Sequence, residues 1–259
     1  MTSEREPADH TIDAFHRGNF WLVQPRGGHR SGMDALMLAA CVPSDFNGVL
    51  CDFGAGAGAA GLAVAARCPK ATINLIEQSP EMAGFAQKSL AHEGNAHLRD
   101  RISVLVADVA LTGKARVKAG LADKSCDFVI MNPPFNEARD RATPDALRKQ
   151  AHVMEDGLFE SWLRSAAAMV RPRGGLALIA RPQSLSDILA AIEGRFGSAE
   201  IVPVHPRADK AAIRIVLRAR LGARGALSLM PPLILHDEGN ALSPRADAIS
   251  NGRASLFGD

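Results

Sequence analysis

The sequence predicts an α/β fold: a doubly wound, mostly parallel sheet with helices on both faces and an antiparallel last strand. From Val49 onward, short apolar runs of strand length alternate with amphipathic helical stretches, the pattern of parallel strands joined by crossover helices. The last such run, 212–220, follows run 199–204 after a short loop with no helix between them, which predicts a hairpin. A glycine-rich turn, Gly54-Ala55-Gly56-Ala57-Gly58, lies between the first of these strands and the first helix, at the sheet edge where open α/β folds place their ligands.

Taken in order, residues 1–19 are polar and are predicted to be loosely ordered. Phe20-Trp21-Leu22-Val23-Gln24-Pro25 reads as a strand and Arg26 to Arg30 as a tight turn. Ser31 is the candidate cap of a helix whose pattern runs through Ala35 to Ala40. Strands are predicted at 49–53, 72–76, 102–107, 126–131, 175–180, 199–204 and 212–220, with helices near 59–68, 80–92, 156–170 and 184–194. Beyond Arg220 comes an extended apolar segment broken by prolines, Leu229 to His236, and then a polar tail. No internal repeat or long linker divides the chain. The expected organisation is an N-terminal strand-turn-helix extension (1–48), a main domain (49–220) and a C-terminal extension (221–259) packed on it.

A chain of 259 residues buries roughly 70–75% of its unfolded surface, enough for a sizeable core. Its 47% hydrophobic and 22% charged content is that of a soluble globular protein. The net charge of +2 says little about partners, but residues 171–224 hold ten Lys and Arg against four Asp and Glu. That skew marks either a phosphate-facing surface or a solvated basic face. Cys41, Cys51, Cys68 and Cys126 stand singly in apolar contexts and read as reduced core residues of a cytoplasmic protein. The eight histidines show no metal-ligand spacing, so no metal is expected. No signal peptide and no run able to span a bilayer is visible, so no membrane partner is expected.

Two stretches carry chemistry. The first is Asp52-Phe53-Gly54-Ala55-Gly56-Ala57-Gly58, whose glycines allow positive φ and let a ligand lie against bare backbone, with Asp52 placed to meet a cationic group. Gly56, Gly58 and Gly61 also match the dinucleotide fingerprint, and Glu77 stands about 20 residues on, where a ribose-binding acid belongs. Glycine spacing alone does not choose between cofactor classes. Asp108 adds another acid at the end of the third strand, with a turn cap as its bland alternative.

The second stretch is Asn132-Pro133-Pro134-Phe135, directly after the apolar run 126–131. The Asn132 side-chain oxygen and the Pro133 carbonyl are acceptors, and Pro134 has no N–H to cancel either. Two acceptors aimed at one point suit a planar –NH2 group, whose delocalised lone pair becomes nucleophilic when its hydrogens are held. Phe135 offers a face on which the group bearing that amine can stack.

Asn132-Pro133-Pro134-Phe135 resembles the catalytic motif of amino-group methyltransferases that use S-adenosylmethionine, and the D-x-G-x-G-x-G form of residues 52–58 is similar to the binding signature of class I members. The resemblance implies a Rossmann-like seven-stranded methyltransferase sheet. It further implies S-adenosylmethionine held by Asp52, Gly54, Gly56, Gly58, Glu77 (ribose), Asp108 (adenine amine) and Asn132, with Asn132, Pro133 and Phe135 catalytic. Gln24 to Gly28, Arg30, Asp34-Ala35-Leu36, Ala151-His152, the hairpin from His205-Pro206 to Arg218, and Pro231 to His236 look like the bacterial family that methylates N6 of an adenosine in valine tRNA. An RNA partner, tRNA, is therefore expected. Phe135 stands where many members have tyrosine, and phenylalanine also occurs in enzymes acting on guanine N2 of rRNA. A protein glutamine N5-methyltransferase and a non-catalytic RNA-binding protein on the same fold are further alternatives. Arg139, Arg141, Arg148 and Lys149 form a candidate phosphate-holding lid, with a solvated insertion as the other reading, and His152 is a candidate substrate contact.

Overall fold

A computed structural model of the chain describes residues 9–27, 30–134 and 145–259, with backbone alone from 145 to 156. Two strands, His10–Phe15 (β1) and Phe20–Pro25 (β2), pair antiparallel as a separate hairpin. The stretch expected to be loose thus contains a strand. Its ordering comes from partners that composition does not reveal: Phe15 stacks on Phe20 at 5.2 Å, and Asp13 accepts hydrogen bonds from Thr11, Gln24 and Arg30.

The helix Met33–Ala39 (α1) follows. Ser31 does not cap it; Gly32 occupies the cap position, and the Ser31 N–H donates instead to Gln24 Oε1. Then come Val49–Phe53 (β3), Ala59–Arg67 (α2), Thr72–Glu77 (β4), Pro80–Ala91 (α3), Ile102–Val106 (β5), Gly113–Lys118 (α4) and Cys126–Met131 (β6). The second half holds Asp145–Met169 (α5), Val170–Ala180 (β7), Leu185–Ile192 (α6), Phe196–His205 (β8), Arg214–Leu221 (β9), Ser228–Leu229 (β10), Leu233–Ile234 (β11) and Pro244–Ser250 (α7).

One sheet runs β10-β8-β9-β7-β6-β3-β4-β5, with β11 also on β8. Strands β3 to β7 are mutually parallel, and β9 is antiparallel to both of its neighbours. All seven predicted strands are present. The apolar segment after Leu227 adds two short ones along the outer edge of β8, interrupted at Pro231 and Pro232, which have no N–H to give to a ladder. Alternation along β6 shows the layering: Phe128 and Ile130 face the core under α1, α2 and α3, while Val129 and Met131 face the core under α5 and α6.

The β1–β2 hairpin is fastened to α3 and the turn after it. Trp21 N–H donates to Asn95 Oδ1 at 2.8 Å, Asn95 Nδ2 donates back to Trp21 O, and Val23 N–H donates to Ser89 Oγ. At the other end, the supposed polar tail buries Ala246, Ile249 and Leu256, and Leu256 N–H donates to Ala40 O. Much of the basic skew of 171–224 is spent internally. Arg171 pairs with Asp127, Arg195 with Glu160, Lys210 with Asp209, Arg214 with Asp34, and Arg218 with Glu200 and Asp259. Asp127, Glu160, Asp34 and Asp259 lie outside the stretch, so the sequence window showed only the basic half of those pairs. All four cysteines are buried and free. Among the described residues no helix is long and apolar enough to cross a membrane.

Candidate active site

The parallel strands β3, β4, β5 and β6 bring their carboxyl ends to one edge of the sheet, and every described residue predicted for the site lies there. After β3 the chain turns through Gly54, Gly56 and Gly58 at φ of 66°, 55° and 93°, the left-handed region that a side chain resists. Gly54 and Ala55 N–H groups both donate to Ile76 O at the end of β4, fixing the turn against the next strand. A Cβ on Gly54 would stand 2.5 Å from Trp162 Cη2 of α5, and one on Gly61 would stand 2.2 Å from Leu75. Gly54, Gly58 and Gly61 are therefore bare backbone because their surroundings leave no room, while there is space over Gly56.

Three carboxylates surround this cradle. Glu77 accepts the Gly56 N–H on Oε2 and the Ser79 N–H on Oε1, both at 2.8 Å, so backbone amides set its orientation. Asp108 is half-buried and accepts the Ala110 N–H at 2.8 Å; it does cap its turn, on one oxygen. Asp52 is buried, and its Oδ2 accepts the Gly61 N–H at 2.9 Å. Burial pushes its carboxyl up to about 7; the Gly61 hydrogen bond opposes this and the nearby Glu77 adds to it. An acid so placed favours the arrival of a cation.

Asn132 follows β6 at the same edge. Its Oδ1 is buried and has no hydrogen-bond partner among the described residues. Pro133 is buried and Pro134 exposed. Phe135 lies outside the described residues, as do Gly28 and residues 136–144 with Arg139 and Arg141; the side chains of Arg148, Lys149 and His152 do too. Sequence reasoning missed Trp162, which is 7% exposed, closes against Gly54 and meets the Phe53 ring edge-on at 6.5 Å. Its signal was a tryptophan on the inward face of a helix, which reads as ordinary core.

A bare-backbone cradle, a buried acid beside it, oriented carboxylates at the next two strand ends and an acceptor lacking a donor fit a cationic adenosine cofactor. Residues 31–206 match the methyltransferase small domain. The chain belongs to that family. It is an S-adenosylmethionine-dependent methyltransferase, and its mostly parallel sheet with β9 antiparallel is the Rossmann-like fold that the sequence resemblance implied, with β10 and β11 added beyond the seven strands. Among curated relatives, the tRNA1(Val) (adenine(37)-N6)-methyltransferase of Porphyromonas gingivalis is 28% identical over 240 residues, 90% of this chain and 91% of the relative. The ribosomal RNA large subunit methyltransferase G of Photobacterium profundum is 24% identical over 176 residues, 68% of this chain and 40% of the relative. Among solved structures, a predicted O-methyltransferase of Agrobacterium tumefaciens superimposes with a TM-score of 0.76 at 44% identity, covering 86% of this chain and 98% of the other.

Proposed function

We propose that this methyltransferase acts on an exocyclic amine of a nucleic-acid base, N6 of adenine in tRNA, in the cytoplasm. The observation that carries the reading is the buried Asn132 Oδ1 at the end of β6, which has no donor among the described residues. An amine supplies that donor, and with Pro133 O as a second acceptor both amine hydrogens are held. A hydroxyl substrate has only one hydrogen to give and would need a base to remove it. The tRNA-modifying relative, aligned over nine-tenths of the chain, supports adenine N6 and an RNA partner. The rRNA relative favours a second reading, guanine N2 in rRNA, which presents the same –NH2 chemistry.

When bound, S-adenosylmethionine supplies an electrophilic methyl group. Asp52 would meet its cationic amino-acid end directly or through water, Glu77 the ribose hydroxyls and Asp108 the adenine amine, with Gly54, Gly56 and Gly58 lying against it. Asn132 and Pro133 orient the substrate amine, and Phe135 stacks on the base. The amine becomes acidic only once methylated, so solvent can take its proton. In this reading 49–220 is the catalytic domain, and 1–48 and 221–259 are extensions packed on it.

The test is incubation with methyl-labelled S-adenosylmethionine and total tRNA from a strain lacking the enzyme, followed by digestion to nucleosides. Label in N6-methyladenosine is expected. No label in tRNA, with label in rRNA guanine or protein glutamine when rRNA or protein is offered under the same conditions, would replace the adenine reading.

A further inference from the structure

The edge of the sheet opposite the active site carries a row of cations that the ion-pair network leaves over. Lys124 precedes β6, Arg173 lies near the start of β7, Arg220 near the end of β9, and Arg224 in the connection beyond it. In the sheet β6, β7 and β9 are consecutive neighbours, and Arg224 lies beside Gly197 of β8, the next strand. The four residues therefore step across four adjacent strands, which are spaced about 4.8 Å apart. All four are exposed, and among the described residues none of their side chains has a hydrogen bond or ion pair. Of the acids near β6, Asp127 holds Arg171 and Asp123 holds Arg116.

The backbone is shaped to present these charges. Between Cys126 and Phe128 of β6 the ladder to β7 jumps from Val170 to Gly175, so residues 171–174 bulge out of the sheet. Within that bulge Arg173 has φ of 68°, and Lys124, beside it, has φ of 49°. Non-glycine residues rarely adopt this left-handed conformation, and here it is spent on two cations. Arg220 lies opposite Gly175 on one side and Gly197 on the other, so no cross-strand side chain covers it.

We infer that this row is a second contact surface for the RNA substrate, a seat for backbone phosphates far from the target base. The inference rests on the RNA reading above. Six residues of β6 separate the row from Asn132, roughly 20 Å of strand, so a lone nucleoside cannot reach both ends while a folded RNA can. Phosphate contacts of this kind position the RNA and carry no sequence information.

The test compares the protein with a variant carrying Arg173→Gly, Arg220→Gln and Arg224→Gln in binding to labelled total tRNA across a salt series. Cofactor calorimetry serves as the check on folding. The wild type should bind with steep salt dependence, and the variant should bind more weakly with a slope shallower by about 2–3, one unit for each phosphate that no cation neutralises any longer. Arg173→Gly alone keeps the fold safe, since glycine suits φ of 68°, and should lose about one unit of slope at unchanged or higher thermal stability. Equal affinity and equal slope in all three proteins, with cofactor binding intact, would overturn the proposal and leave the RNA reading standing. A wild type that binds no RNA would sink both; if it then binds phosphatidylserine vesicles and the variant does not, the row belongs to a lipid surface.

Discussion

A buried amide oxygen without a donor costs about 1–3 kcal/mol, and among the described residues Asn132 Oδ1 has none. Such a cost persists where a ligand repays it. Asn132→Ala should therefore lower single-turnover rate by about 10²-fold, the scale of one preorganised polar contact, while the melting temperature holds or rises and cofactor affinity by calorimetry stays the same. Unchanged turnover would remove Asn132 from the reaction. Asp52 gives a second residue-scale expectation. Its carboxyl sits at about 7 because it is buried, so below that pH a cation must displace a proton to gain the charge. Affinity for S-adenosylmethionine should rise about tenfold per pH unit up to about 7 and level off above, and Asp52→Asn should flatten the profile. A flat profile in the wild type would mean that Asp52 only braces Gly61. At this scale the sequence showed both residues and their chemistry. The orphaned oxygen and the buried acid were invisible, because each depends on what surrounds it in three dimensions.

Elements held by their own local pattern were legible, and elements held by distant partners were not. Strands β3 and β6 match their predicted bounds because parallel strands buried on both faces are continuous apolar runs stopped by glycine or proline. Strand β1 was hidden because its inward face carries Thr11 and Asp13; Thr11 donates to Asp13, whose other partners are Gln24 of β2 and Arg30. Helix α4, Gly-Lys-Ala-Arg-Val-Lys, has no apolar stripe to announce it, and α7 reads as tail because the helix it packs on, α1, is remote in sequence. The β3–α2 turn shows how one element constrains another. Gly54→Ala forces a side chain into φ of 66° and drives Cβ toward Trp162, so it should cost about 2–4 kcal/mol of strain and overpacking. Urea denaturation would measure it. Trp162→Leu in the same chain should restore only the packing share, leaving about 1 kcal/mol of backbone strain. Full recovery would show that the positive φ is not costly there.

At the scale of the molecule, two buried titratable groups act on stability with opposite sign. His16 is 8% exposed, both of its ring nitrogens lack partners among the described residues, and burial, with Arg67 nearby, pushes it down to about 4. Between about 4 and 6.5 the unfolded chain takes up a proton that the folded one refuses, so this group's contribution is complete above 6.5 and is lost as pH falls through 4, about 3 kcal/mol in all. Asp52 does the reverse. Its folded carboxyl, at about 7, keeps a proton that the unfolded one has released, so stability falls by about 4 kcal/mol as pH rises from about 3.8 through 7. Over the shared interval the two slopes are equal and opposite, and the wild type should show little pH dependence of unfolding free energy from this pair. Removing either exposes the other. His16→Asn, which tolerates φ of 48° and does not titrate, should lose stability as pH rises from 4 to 7, whereas Asp52→Asn should gain it over the same range. Parallel urea titrations of the three proteins at pH 4.5, 5.5 and 6.5 would read both slopes. Two variants that both track the wild type would mean that neither group is as dry in solution as its packing makes it. Adding S-adenosylmethionine should stabilise the wild type most above pH 7, where the Asp52 charge is present and otherwise unmet.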